Sequence, residues 1–207
     1  MGSRIPIYHI THKDNLANIL KQGYLYCDHE AQKYLRRQTA YSHLKARRAM
    51  TYVPQGGTLD QYVPFYFAPR SPMLYAIYTG YVPGVAADQS PIVYLVTEVQ
   101  TVADAGLKFA FCDRHPLSGW VRWSSNLKDL PQMIDWRVMQ SLTWYNTEEY
   151  PDRKSRRQAE FLVHDKLPFG LIHRIGVYDR TVLQQVQGLL QSYSYQLNVS
   201  VERGWYY

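Results

Sequence analysis

Apolar and polar positions along the chain change period several times, and each change marks an element. Ile5 to Ile10 predicts a first strand. Thr11 to Asp14 follows as a capping box, and Leu16, Ile19 and Leu20 form a helical stripe that Gly23 closes. Residues 29 to 50 carry helix formers with a loose apolar spacing at Leu35 and Leu44, so helix is expected there. Residues 53–57 read as a loop. Tyr62 to Phe67 is aromatic and β-branched, which suits a strand, and Ala68, Pro69 and Arg70 break it. Ser71 is then an N-cap, Pro72 sits where a missing N–H is harmless, and Gly80 ends the helix.

Pro91 to Val96 is the most apolar run and predicts a central strand. Lys108 to Cys112 forms a short strand, followed by the loop HPLSGWVRWSSN. Residues 130 to 142 predict a helix with Met133, Trp136, Val138 and Met139 inward. The stretch TWYNTEEYPDRKSRR has no period. Strands are expected at Gln158 to His164 and Leu171 to Tyr178, a helix at Arg180 to Tyr193 behind the cap Asp179, and a closing strand within Asn198 to Tyr206. Neither a repeat nor a linker interrupts this order, so 1–207 is expected to form a single domain. Strands and helices do not alternate regularly, which predicts an α+β fold with one mixed sheet or two packed sheets.

The 207 residues suffice for one well-buried core, and 46% hydrophobic with 19% charged residues is an ordinary globular balance. No apolar run is long enough to cross a bilayer, and the start, MGSRIPIYHITHKDN, lacks the apolar core of a secretory signal. Cys27 and Cys112 are too few for a disulfide scaffold or a cysteine-built metal site, so a reducing, cytoplasmic setting is expected. The net charge of +6 is gathered in two clusters: Arg36, Arg37, Lys45, Arg47 and Arg48, then Arg153, Lys154, Arg156 and Arg157. With Trp144, Tyr145 and Tyr150 beside the second, these can hold a single nucleic-acid strand. The plainer reading of each is a solvated face.

Several catalytic signatures are missing: no P-loop, no GxGxxG opening a helix, no HExxH and no CxxC. His9, His12 and His43 lack partners at metal-ligand spacing, so no metal is expected. Glu160 is the acid that draws interest. Strand alternation puts Ala159, Phe161 and Val163 on one face and Gln158, Glu160 and Leu162 on the other. A carboxylate in mid-strand costs desolvation unless paired, so Glu160 is either an edge residue in an ion pair or a catalytic group fed by the loop before it. His9, on the first strand, suits either a sugar hydroxyl or a satisfied core position. The corner around Arg70, with Tyr66, Tyr75 and Tyr78 nearby, suits either an anion with a flat ring or simple core packing.

A histidine on the first strand, an aromatic strand running into a tyrosine-bearing helix, and a glutamate on a late strand follow the order of the His-Tyr-Glu ADP-ribosyltransferases. More closely, the chain resembles the DarT family, toxins that ADP-ribosylate single-stranded DNA. The likeness is carried by IYHITHKDNLANILKQG, by LKARR followed by GGTLDQYVPFYFAPRSPMLYAI, and by QAEFLV. It implies an ADP-ribosyltransferase-like fold, with mixed or antiparallel sheets around an NAD cleft and flanking helices. NAD would be the co-substrate, with His9 and Thr11 near the adenosine-side ribose and Asn15 among the cofactor contacts. Tyr75 or Tyr66 would stack on nicotinamide, Ser71 would hold its amide, and Arg70 would sit near the pyrophosphate. Glu160 would be the catalytic acid residue, assisted by Arg47 or Arg48. The loop before Glu160 would read the DNA: Trp144, Tyr145 and Tyr150 would stack bases while Arg153, Lys154, Arg156 and Arg157 follow phosphates. Thymine is the expected acceptor, with guanine, RNA or protein as alternatives and a non-catalytic single-strand-binding module as the rival reading; the resemblance further implies a macrodomain antitoxin as partner.

Overall fold

A computed structural model describes residues 4–34, 36, 37 and 42–207. In chain order the first half carries β1 (Pro6–His12), α1 (Leu16–Gln22), β2 (Tyr24–Tyr26), α2 (Asp28–Ala31), α3 (Ser42–Ala49), β3 (Tyr62–Tyr66), α4 (Pro72–Tyr78), β4 (Ile92–Glu98) and α5 (Val99–Asp104). The second carries β5 (Phe109–Cys112), β6 (Trp123–Ser124), α6 (Leu130–Met133), α7 (Trp136–Gln140), α8 (Arg153–Arg156), β7 (Glu160–His164), β8 (Lys166–Pro168), β9 (Arg174–Val177), α9 (Arg180–Ser192) and β10 (Asn198–Val201). One sheet runs β10-β9-β4-β1-β3-β7-β5-β6, and β2 pairs with β8 in a smaller one. All its pairings are antiparallel except β9 with β10, which α9 joins by a crossover. This is the mixed sheet expected of an α+β chain.

β4 lies between β1 and β9 and is buried on both faces, which is why its sequence reads as a continuous apolar run. On one face Val93 and Leu95 join Ile7, Leu16, Leu20, Val182 and Val186 beneath α1 and α9. On the other, Tyr94 and Val96 meet Tyr8, Leu74, Ile77 and Tyr206 beneath α4. β1 pairs with β4 from Pro6 to His12, but with β3 through Tyr8 opposite Tyr66. Beyond that point β1 and β3 separate, and a cleft opens in the split.

Several expectations change at element ends. Pairing with Ile92 keeps β1 extended through His12, so the capping box at Thr11 does not form. His12 caps the following turn instead, its Nδ1 accepting from the Asp14 N–H at 3.2 Å. The helix expected over 29–50 is two helices, α2 and α3; Leu35 lies outside the described residues. The helix expected over 130–142 is broken because Ile134 is extended and Asp135 caps a new start, accepting from the Val138 N–H at 3.2 Å. β9 begins only at Arg174, after a 3-10 turn at Phe169–Leu171, and β10 stops at Val201. The start of α4 is as expected: Ser71 accepts from the Leu74 N–H, Pro72 is first in the helix, and Gly80 has φ 73° just past its end.

Candidate active site

The cleft in the split sheet is lined by His9 and Thr11 of β1, Pro64 and Tyr66 of β3, Glu160 of β7, and Leu44, Lys45 and Arg48 of α3. Tyr24 and Tyr26 of β2, Met73 of α4 and Asp28 of α2 also face it, with Asn15 beside them. Glu160 begins β7, directly opposite Tyr66, on a strand flanked by β3 and β5; it is an interior position, 3% exposed, and not a sheet edge. Its carboxylate receives a forked guanidinium. Arg48 Nη1 donates to Oε1 and Oε2 and Nη2 to Oε2, all at 3.1 Å. Burial pushes the Glu160 carboxyl above the ordinary glutamate range, and the Arg48 charge pulls it back.

The structure separates the two candidate arginines. Arg48 is paired with Glu160, whereas Arg47 is exposed and donates to the Leu117 carbonyl at 3.3 Å. Consecutive helix residues face about 100° apart, so only one can enter the cleft.

His9 Nδ1 lies 2.8 Å from the Pro64 carbonyl oxygen. A carbonyl can only accept, so Nδ1 carries the proton and Nε2 is left as the acceptor. Burial lowers the imidazole pKa and keeps it neutral. Asn15 lines the cleft, but its amide is committed elsewhere. Nδ2 donates to Thr11 Oγ1 at 3.1 Å and the Arg37 carbonyl at 3.0 Å, while Oδ1 accepts from the N–H groups of Arg36 and Arg37, both at 3.0 Å. These bonds make Asn15 a strut between β1 and the 36–37 segment at the cleft wall. Tyr66 reaches the cleft wall with its hydroxyl 3.6 Å from Met73 Sδ, and burial raises its phenol far above the ordinary value.

The corner after β3 does not supply the cleft as expected. Ser71 is buried and its hydroxyl caps α4. Arg70 adopts φ 55° and lays its guanidinium over the Tyr207 ring, 4.6 Å from the centroid. Tyr75 packs against Tyr207 and Trp144, with centroids 5.1 and 5.5 Å away. Helix α4 presents Met73 to the cleft, so of the two tyrosines proposed for nicotinamide only Tyr66 lines it.

In the loop before Glu160, Tyr145, Tyr150 and Lys154 are exposed and Arg153 lies over the Tyr150 ring. The Trp144 indole N–H donates to the Tyr207 hydroxyl at 2.7 Å. Arg156 is ion-paired with Asp152 and Asp135 at 2.9 and 3.1 Å. Arg157 is the clear correction: it is 3% exposed and bound to backbone carbonyls, so it cannot follow phosphates. Sequence reading also missed Met73, Tyr24, Tyr26 and the Lys45–Asp28 pair at 3.0 Å. The short β2–β8 sheet that delivers the two tyrosines has too few residues to show a period.

His115, behind Arg48, offers a stability test. Its Nδ1 accepts from the Leu117 N–H at 3.1 Å, and burial first, then the Arg48 and Arg47 charges, pull its pKa down to about 4. A histidine depressed on folding contributes stability that is complete above the unfolded value near 6.5 and drains as pH falls toward the folded value. Thermal melts are expected to show a loss of roughly 2–3 kcal/mol between those limits. His115→Gln should flatten that part of the profile.

A split, mostly antiparallel sheet with a buried acid–arginine pair at the base of the split is the architecture of an ADP-ribosyltransferase of the kind matched by solved structures. A family model described as "ssDNA thymidine ADP-ribosyltransferase, DarT" matches residues 8–207, and the chain belongs to that family. A DNA ADP-ribosyl transferase of Thermus sp. (strain 2.9) is 42% identical over 206 residues, covering 98% of this chain and 96% of that protein. The structure of Thermus sp. 2.9 DarT in complex with ADP-ribosylated ssDNA superposes with a TM-score of 0.92 at 41% identity, covering 98% of this chain and 96% of that one. The same protein in complex with NAD+ gives a TM-score of 0.86 at 38% identity, covering 100% and 99%.

Proposed function

We propose that the protein transfers ADP-ribose from NAD to a ring nitrogen of thymine in single-stranded DNA, releasing nicotinamide, and acts as the toxin of a toxin–antitoxin pair. As an enzyme it is an NAD-dependent DNA ADP-ribosyltransferase. The observation that carries the reading is the forked Arg48–Glu160 pair at the base of a cleft whose other wall holds neutral His9.

The cleft's side chains fit a dinucleotide: a hydroxyl at Thr11, an acceptor nitrogen at His9, aromatic rings at Tyr24, Tyr26 and Tyr66, and a cation at Lys45. NAD supplies a ribosyl group already joined to a leaving group, and positive charge grows on that ribose as the bond breaks. Glu160 is suited to face that charge, because Arg48 holds it in one orientation before any substrate arrives. The neutral His9 Nε2 suits a ribose hydroxyl. A thymine ring N–H must lose its proton as the new bond to ribose forms. Glu160, a cleft carboxylate with a raised pKa, is suited to take it.

The acceptor base is itself the nucleophile, so the transfer needs no Ser-His or Cys-His arrangement. A base inside a duplex cannot present its pairing edge, so a single strand is required. Tyr145, Tyr150 and Lys154, exposed on the loop that runs into β7, are the groups suited to hold it. The toxin reading adds a cytoplasmic site of action and a macrodomain antitoxin that removes ADP-ribose. Purified protein with NAD is expected to raise the mass of a thymine-containing oligonucleotide by one ADP-ribose. A set of oligonucleotides of varied sequence that all stay unmodified would overturn the reading.

A further inference from the structure

Arg157 carries a buried charge that the chemistry above does not use. Its guanidinium meets carbonyl oxygens rather than a carboxylate. Nη1 donates to Val138 at 2.6 Å and to Met139 and Ser141, both at 2.9 Å; Nη2 donates to Pro69 at 2.6 Å. The first three acceptors close α7 and open the stretch 141–152 that bears Trp144, Tyr145 and Tyr150. The fourth, Pro69, belongs to the corner that leaves β3 just after Tyr66 of the cleft. Arg157 itself stands in the turn that enters β7 at Glu160.

The other end of the loop is held independently. Arg156 is paired with Asp135, Asp152 with Arg114, and the Ser155 carbonyl accepts from the His115 N–H at 2.8 Å. Arg153 returns to Ser141 Oγ at 2.8 Å. Both ends of 141–152 are therefore pinned, and the start is tied to the rear of the cleft by Arg157 directly and by Trp144 through Tyr207, whose hydroxyl donates to the Arg70 carbonyl at 2.6 Å. A planar fork with several donors can span two segments at once, which an ammonium cannot. A buried guanidinium without a carboxylate partner is costly, so its presence calls for a geometric return.

We propose that Arg157 is a positioning residue for the acceptor strand: it clamps the loop that meets DNA to the corner behind Tyr66 and Glu160, fixing the distance between the held strand and the reacting ribose. This rests on the function proposed above. Misplacement by about 1 Å costs on the order of a hundredfold in rate when reacting atoms must meet at near-attack distance.

The test uses the whole chain and three variants: Arg157→Lys, Arg157→Met, and a Gly-Gly insertion after the exposed Leu142 that leaves Arg157 intact but slackens the loop. Two readouts are taken, NAD affinity with slow NAD hydrolysis in the absence of DNA, and kcat and KM for a thymine oligonucleotide. NAD affinity and hydrolysis are expected to stay near wild type. kcat/KM for DNA should fall by about a hundredfold, largely through kcat, in all three variants. Lysine should not rescue, because it keeps the charge and loses the fork. Parallel loss of NAD binding and DNA transfer in the Arg157 variants would make the residue merely structural, and unchanged DNA kinetics in the insertion variant would overturn the clamp even if the Arg157 variants fail to fold. If the wild type itself modifies no oligonucleotide, the proposed function fails instead.

Discussion

Glu160→Gln is expected to reduce ADP-ribose transfer by about a thousandfold, because it removes the cleft carboxylate that the Arg48 fork orients before substrate binds. The substitution also strands Arg48. Removing one partner of a buried pair leaves an uncompensated charge at a cost of about 3 kcal/mol or more, so lost activity alone does not separate chemistry from unfolding. A double variant does. Replacing both partners with apolar residues of similar size, Arg48→Met with Glu160→Leu, removes the charge and its penalty together. It should be as stable as wild type, or more stable by about 1–4 kcal/mol, and still inactive. Denaturant midpoints of the three proteins, read beside transfer rates, give the answer. A double variant that is stable and still transfers ADP-ribose would remove Glu160 from the mechanism.

How much of this could be read from the chain depends on the range of the interactions that decide each feature. QAEFLV placed Glu160 opposite the core-facing Phe161 because the two-residue period of a strand is local and needs no partner. Ser71 and Pro72 marked the start of α4 for the same reason: a cap acts over three residues. What a helix residue points at is not local. Arg70 and Tyr75 were expected at the cofactor, but Tyr207, distant in sequence, draws both away. Arg157 reads in the sequence as a phosphate contact or a solvated cation within a basic run. Only the folded chain brings four carbonyls around it. Asn15 shows the same limit, since an amide beside a cleft can serve the ligand or the scaffold, and the 36–37 backbone claims it. The helix expected over 130–142 failed because apolar spacing persists across Asp135, whose capping bond outweighs continuity.

Arg47 and Arg48 are adjacent, equally basic and indistinguishable by composition, yet their expected phenotypes diverge sharply. Arg48 grips both carboxylate oxygens and lines the cleft, so Arg48→Lys keeps the charge but loses the fork that sets the carboxylate's plane. A point charge on a flexible stem allows Glu160 to swing, and transfer should fall by about 10²–10³-fold with NAD affinity changed far less. Arg47 touches the Leu117 carbonyl at the surface. Arg47→Ala should leave turnover at saturating DNA within about twofold of wild type, the range of a surface substitution. The measurement is kcat for both variants under saturating NAD and oligonucleotide. Equal losses would mean that the charge of the segment matters and its geometry does not; a larger loss for Arg47 would place the assisting cation on the other face of α3.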